Sequence, residues 1–240
     1  MKQKPVKKIL FVTLSNIGDV FLSLPALDLL LRMFPQASVT VVCGKRPEGI
    51  FAHNPRIEHV IAYDRRKSFT EKISLALLLR KRRYDCVIDL RGSFLGFACP
   101  ARYAIPFFLR VPRAIRHMKD RHMYKVKAAL RGCAIPDDAP AVSIFQRQED
   151  THQVDVLLRH FDGGVSGPLI AVSCGARSHT KRWDRRKFSA LIDALVREWN
   201  ARIILVGDAD DASIAAAIEK EVSVPVLNCA GKTSLVELVY

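Results

Sequence analysis

The sequence predicts an α/β protein built as two doubly wound parallel-sheet units, the second of them incomplete. Short apolar runs rich in Val, Ile and Leu alternate with longer segments of helical period, the pattern of parallel strands joined by crossover helices. The alternation breaks at Gly163-Gly164 and Gly167-Pro168 and then starts again. With 240 residues, 49% hydrophobic and 26% charged, the chain has a globular composition and length enough for a sizeable core.

Residues 8–14 (KILFVTL) read as a buried strand. Residues 18–34 read as a helix in which Pro25 marks a kink or a late start. A second strand is expected at 39–43 and a third at 60–63, introduced by the turn signal Asn54-Pro55. Residues 69–83 place Leu and Ile at helical spacing and end in Arg80-Lys81-Arg82-Arg83. Those cations suit the negative end of a helix dipole and read as a solvated face. Residues 86–90 (CVIDL) are a fourth strand; from 94 to 131 the pattern loosens into aromatics, prolines and arginines. A polar loop at 137–140 and a helix at 151–161 precede the glycines. After them, strands at 169–173, 202–206 and 224–227 alternate with helices at 187–199 and 212–221, and a last helix begins near Thr233. The expected units are therefore 1–163 and 164–240, and the second ends inside an element, the pattern of a truncated chain.

The charge is unevenly placed. Net charge is +14, and residues 65–131 hold 18 basic against 4 acidic side chains, so this third of the chain accounts for the whole excess. A field concentrated in that way points to an anionic partner: nucleic acid, a phospholipid surface or an acidic substrate. Six widely spaced cysteines without a C-x-x-C pair exclude zinc-finger spacing and read as buried free thiols of a reducing cytoplasm. The apolar run at 9–14 is short for a signal peptide, and Asp19 and Asp28 interrupt the apolar stretch that follows, so no span of membrane length is expected.

Ligands of open α/β sheets bind beyond the carboxyl ends of the strands. At the first such place stand Gly18, which lets a substrate approach the backbone, and Asp19, a carboxylate able to take a proton from an attacking hydroxyl. The alternative for Asp19 is that it merely favours a helix N-terminus. After the first strand of the second unit, residues 175–183 (GARSHTKRW) supply hydroxyls, cations and a helix start, which suits a diphosphate but also describes a solvated basic loop. Gly231-Lys232-Thr233 lacks the earlier glycine of a P-loop, whose place is taken by Val226, and no G-x-G-x-x-G follows the first strand. Asp208-Ala209-Asp210 matches a short metal-binding signature of sugar transferases, yet acidic residues after a strand commonly cap the next helix. The histidines show no metal-ligand spacing, and His117 and His122 are expected to face solvent. Phe97, Tyr103, Phe107 and Phe108 lead into Arg110, Arg113, Arg116, Lys119, Arg121, Lys125 and Lys127. Apolar anchors beside cations suit an anionic lipid surface or a lipid-linked acidic sugar; they also suit single-stranded nucleic acid, for which no module is present.

Taken together, the opening KILFVTLSNIGDVFLSLPAL, DLRGSFLG at 89–96, HQVD at 152–155, the GARSHTKRW loop, the VGDADD turn and AGKTSLVEL at 230–238 resemble the lipopolysaccharide heptosyltransferases in motif order over nearly the whole chain. That resemblance implies a GT-B fold, two Rossmann-like lobes with the active site in the cleft between them. It implies inverting transfer of heptose from ADP-heptose to the lipopolysaccharide inner core, with Asp19 as the base and Lys181 on the donor phosphates. Gly18, Ser178, Thr180 and Asp210 complete the expected donor set. No cofactor or metal is expected. The cations Arg110, Arg113, Arg116, Lys119 and Arg121 would face the acidic core of the acceptor, placing a cytoplasmic protein peripherally on the anionic inner membrane, with no nucleic acid partner. Arg177 stands where some members have a hydroxyl residue. A D-S-G-x-x-H element follows the AGKTSL segment in the family, and weak or absent transfer is expected from this chain alone. The alternatives are a GT-B transferase using another nucleotide sugar, and an inactive shortened homologue that binds anionic lipid or nucleic acid.

Overall fold

In the computed structural model, described for residues 4–64, 68–136, 144–159, 161, 167–176 and 179–239, the chain divides into two compact units, 1–145 and 146–240. The boundary falls 18 residues before the glycines, because the helix expected at 151–161 groups with the second unit.

The first unit contains β1 (Lys8–Val12), α1 (Ile17–Phe21), α2 (Leu24–Met33), β2 (Ser38–Cys43), β3 (Ile57–Ala62), α3 (Phe69–Lys81), β4 (Cys86–Asp89), α4 (Phe94–Ala98), β5 (Tyr103–Ala104) and α5 (Met118–Ala129). The strands form one parallel sheet in the order β3-β2-β1-β4-β5. The right-handed crossovers from β1 to β2 and from β3 to β4 run in opposite directions across the sheet and so put α2 and α3 on opposite faces. The alternation along β1 follows: Leu10 and Val12 pack with Ala76 and Leu79 of α3 and Leu95 of α4, while Ile9 and Phe11, also fully buried, turn to the α2 face.

The expected single helix at 18–34 is two. Ser23 precedes α2, Pro25 occupies its first turn, and α1 is a five-residue piece ahead of it. Proline lacks the N–H that a continuous helix would need there. The loosened segment 94–131 holds more structure than its composition indicates. It contains α4, the short edge strand β5 and the twelve-residue α5. In α5, His122, Val126 and Ala129, followed by Leu130, form a buried stripe at helical spacing beneath a surface of cations.

The second unit contains α6 (Gln148–Arg159), β6 (Leu169–Ser173), α7 (Arg185–Trp199), β7 (Arg202–Val206), α8 (Ala212–Glu221) and β8 (Val226–Asn228). Its sheet is parallel, in the order β6-β7-β8. Both crossovers run in one direction, so α7 and α8 cover the same face. Ile192, Ile203, Leu205, Ala215 and Ile218 form the core there. The expected helix near Thr233 is a single 3₁₀ turn at Glu237–Val239.

All six cysteines are free thiols, five of them buried, and burial pushes those of Cys43 and Cys86 up to about 12. Among the described residues no helix is long and apolar enough to cross a membrane.

The loops beyond β1 and β2 touch at Gly44, whose N–H donates to the Leu14 carbonyl at 3.1 Å. A β-carbon on Gly44 would lie 2.6 Å from the Ser15 Cα, a backbone atom that cannot swing aside. Gly44→Ala is therefore expected to cost about 1–3 kcal/mol, read as a lowered urea midpoint. An unchanged midpoint would contradict this packing.

Candidate functional site

In the first unit the sheet order reverses between β1 and β4, and the carboxyl ends of these strands flank the crevice where open α/β sheets bind ligands. The chain leaving β1 is fixed by buried hydroxyls. Ser23 Oγ donates to the Val20 carbonyl at 2.7 Å, and Thr13 Oγ1 lies 2.6 Å from Ser23 Oγ. Since the Ser23 hydrogen is engaged with Val20, Thr13 is the donor of that pair. This relay ties the end of β1 to α1 and so sets the position of Asp19 in its first turn.

Asn16 Nδ2 donates to Asp19 Oδ2 at 3.0 Å, and the carboxylate is half-buried. Asp19 makes no helix-capping bond; Asn16 holds the cap position. Gly18 is exposed, and a β-carbon there would meet nothing within 4 Å. The fold itself has no steric need for glycine at that position.

From the β4 side comes a group the sequence did not single out. Arg91 stands two residues after the end of β4, donates from Nη2 to Ser15 Oγ at 2.9 Å and lies over the Tyr63 ring at 5.0 Å. A guanidinium is thereby fixed across the switch point, joining the loops after β1, β3 and β4. Beneath it, Asp89 is buried and accepts from the N–H groups of Gly92, Ser93 and Gly96 and from Ser93 Oγ, at 2.7–3.1 Å. Its role is to wind the turn that starts α4. Lys125 Nζ donates to the Leu90 carbonyl at 3.0 Å, and burial lowers its pKa.

His122 corrects a second expectation. Instead of facing solvent it is 1% exposed on α5, with neither ring nitrogen hydrogen-bonded. Its i, i+4, i+7 register with Val126 and Ala129 was the available signal, hidden by the surrounding cations. His117 is exposed and caps α5.

The expected basic face divides. Arg110, Arg113, Arg116 and Lys119 are exposed. Arg121 is half-buried and donates to the Ile115 carbonyl at 3.1 Å, so part of its hydrogen-bonding capacity holds the local chain. Tyr103 is not a surface anchor either: it is buried in β5 against Phe34, with ring centroids 6.1 Å apart.

In the second unit, two strand-end loops gather polar groups. Thr180 and Lys181 are exposed in a 3₁₀ turn, His179–Lys181, after β6. Arg182 Nη2 donates back to the Ala176 carbonyl at 3.0 Å, shaping that loop. Ser178, expected in the same set, lies outside the described residues. After β7, Asp208 accepts from the Asp210 N–H at 3.0 Å, and Asp211 Oδ2 accepts from the Asp208 N–H at 3.3 Å. Asp208 therefore caps a helical turn, as the plainer reading of the D-x-D sequence has it. Asp210 is exposed at that turn. The Asp211 carboxylate lies where a β-carbon on Gly175 would stand, so only glycine lets the loops after β6 and β7 approach so closely. Among the described residues no group of three or more His, Cys, Asp or Glu side chains is arranged to hold a metal ion.

This architecture has known relatives. The profile of glycosyltransferase family 9 (heptosyltransferase) matches residues 73–240. Lipopolysaccharide heptosyltransferase 3 of Escherichia coli K12 is 26% identical over 92% of this chain and 70% of its own length. Among solved structures, a family 9 glycosyl transferase from Veillonella parvula superposes with a TM-score of 0.77 at 21% identity, covering 98% of this chain and 72% of that one. ADP-heptose lipopolysaccharide heptosyltransferase II of E. coli gives 0.69 at 21% identity, covering 97% and 75%.

The buried histidine has a measurable consequence. Its pKa is pushed down to about 4, by burial first and then by Lys125, with Arg121 adding and Asp19 opposing. An unfolded chain protonates the same ring near 6.5. Below that pH the unfolded state takes up a proton that the folded state refuses, so stability falls as pH drops toward about 4. His122→Leu should flatten this part of the dependence, measured as urea midpoints across the same range. A slope equal to that of the parent protein would contradict the assignment.

Proposed function

The chain belongs to glycosyltransferase family 9, and we propose that this glycosyltransferase is an inverting heptosyltransferase that moves heptose from ADP-heptose to the lipopolysaccharide inner core. The single observation behind the chemical assignment is the half-buried Asp19 carboxylate, tied to Asn16 at the end of β1, where the sheet order reverses. In the proposed reaction an acceptor hydroxyl attacks the anomeric carbon of the donor. Its proton passes to Asp19, the new glycosidic C–O bond forms, and the bond from that carbon to the diphosphate oxygen breaks. One displacement inverts the configuration.

The departing ADP carries the negative charge, and Lys181, with the hydroxyls of Ser178 and Thr180, is proposed to stabilise it. Asp210 helps hold the donor, and the open space above Gly18 admits it to the backbone. Arg91, fixed against Ser15 and Tyr63, is suited to an anionic group of the acceptor beside the reacting hydroxyl. Arg110, Arg113, Arg116 and Lys119 supply the wider field that draws an acidic core oligosaccharide, and Arg121 contributes charge while bracing that segment. The reaction is proposed to need no metal, with Lys181 in the role that a divalent cation has in other transferases. An acceptor anchored in lipid places the work at the inner membrane, peripherally and on its cytoplasmic side.

Three measurements test this reading. Asp19→Asn should lower heptose transfer by about 10²–10⁴-fold while ADP-heptose affinity changes little; transfer at the parent rate would remove Asp19 as the base. Lys181→Ala should weaken ADP binding by roughly tenfold or more, read by calorimetry; equal affinity would remove Lys181 from the donor site. Treatment with EDTA should leave transfer unchanged, and loss of activity restored by a divalent ion would overturn the metal-free mechanism.

A further inference from the structure

A cavity of about 380 Å³ opens beside the β4–β5 edge of the first sheet. Its walls include Cys99, Ala104, Ile105, Pro106, Phe97 and Phe107, and the last two stand at its rim. Phe97, Phe107 and Phe108 expose 71%, 78% and 87% of their surface. They are a single cluster rather than scattered residues: the Phe97 and Phe107 rings lie 6.0 Å apart, and Phe107 meets Phe108 edge-on at 4.9 Å. Clustered aromatic rings held in water at the mouth of a mainly apolar cavity are costly for a molecule surrounded only by solvent.

The charge beside them is of one sign. From residue 94 to residue 119 the sequence contains Arg102, Arg110, Arg113, Arg116 and Lys119 and no Asp or Glu. Arg110, Arg113 and Arg116 are exposed and follow the aromatic pair directly in sequence. Asp89, the carboxylate on the cavity lining, is buried and hydrogen-bonded by the four donors that wind the α4 turn, and Lys125 lies close enough to counter its charge. Rings that partition into the headgroup boundary and arginines that pair with phosphates are the two components of interfacial binding, and each alone is weak.

We propose that this face seats the protein on an anionic phospholipid bilayer, with Phe107 and Phe108 entering the headgroup boundary, Arg110, Arg113 and Arg116 on the phosphates, and the cavity behind Phe97 and Phe107 receiving one acyl chain. The proposal deepens the transferase reading, which supplies the reason for working at a membrane. Vesicle binding, however, is read without donor or acceptor: a protein that binds vesicles but no ADP-heptose overturns the transferase reading alone.

The test uses co-sedimentation with vesicles of phosphatidylethanolamine and phosphatidylglycerol, compared with phosphatidylcholine alone. Binding is expected to the anionic vesicles only. The triple change Arg110→Gln, Arg113→Gln, Arg116→Gln should weaken it by about fivefold per charge. The pair Phe107→Ser, Phe108→Ser should weaken it by roughly tenfold or more. Both sets are at exposed positions, and an unchanged melting temperature verifies that the fold is intact. The indole introduced by Phe108→Trp should shift its emission to the blue on the vesicles and be quenched by brominated acyl chains. Ala104→Leu, which narrows the cavity without touching the rim, should weaken binding if a chain enters. Binding that follows the arginines but ignores the phenylalanines, with no quenching, would reduce the face to electrostatic adsorption and overturn the proposal. Full binding by Ala104→Leu would overturn the acyl-chain part of it, and equal binding to phosphatidylcholine would overturn the anionic preference.

Discussion

Everything at the candidate site depends on β1 being paired on both sides and covered on both faces. Its residues Ile9 to Val12 are fully buried, with β2 on one edge and β4 on the other. A parallel sheet directs all its carboxyl ends the same way, so the loops after β1, β2, β3 and β4 must meet along one edge. Because the connections that leave β1 and β4 turn to opposite faces of the sheet, the loops after these strands diverge and open a crevice between them. Residues placed there face a crevice by necessity. The buried Thr13–Ser23–Val20 relay and the Gly44 contact then remove the freedom that the loop would otherwise have. Asp19 is held by its surroundings rather than by a cap of its own.

The concentrated positive charge has several distinct uses. Arg91 spans the switch point, Lys125 closes the end of β4 and Arg121 braces the chain that leads into α5. These groups are half-buried and hydrogen-bonded, and they shape the site. Arg110, Arg113, Arg116 and Lys119 stay in water and shape its field. A neutral His122 beneath this array fits the same logic. Burial among cations disfavours a further positive charge, and the nearby Asp19 carboxylate only partly opposes that effect.

The strands were legible because a parallel strand buried on both faces reads as an uninterrupted apolar run, as KILFV and RIILV do. Helix α5 was not, since its buried stripe is carried by a histidine, a valine and alanines, with cations and aromatics in between. Asp19 and Lys181 owe their expected roles to the family resemblance rather than to position alone; the structure puts Asp19, half-buried, in α1 just after β1 and Lys181, exposed, in the turn after β6. Arg91 could not be named from the sequence: its importance comes from reaching Ser15, 76 residues earlier in the chain, a pairing that only the sheet order creates. The place of α6 was likewise invisible, because glycines in a sequence mark a linker without saying to which side a preceding helix packs. There, Gln146 Nε2 donates to the Val236 carbonyl at 3.3 Å and ties the start of this region to the end of the second unit.

The central claim is that this fold handles an ADP-linked heptose. Calorimetric titration of the protein with ADP-heptose, set against UDP- and GDP-linked sugars, tests it most directly. The account predicts saturable binding of ADP-heptose, competed by ADP and at least tenfold tighter than for the other nucleotide sugars, about 1.4 kcal/mol of discrimination. Tighter binding of a UDP- or GDP-sugar, or no binding of any of the three, would contradict it.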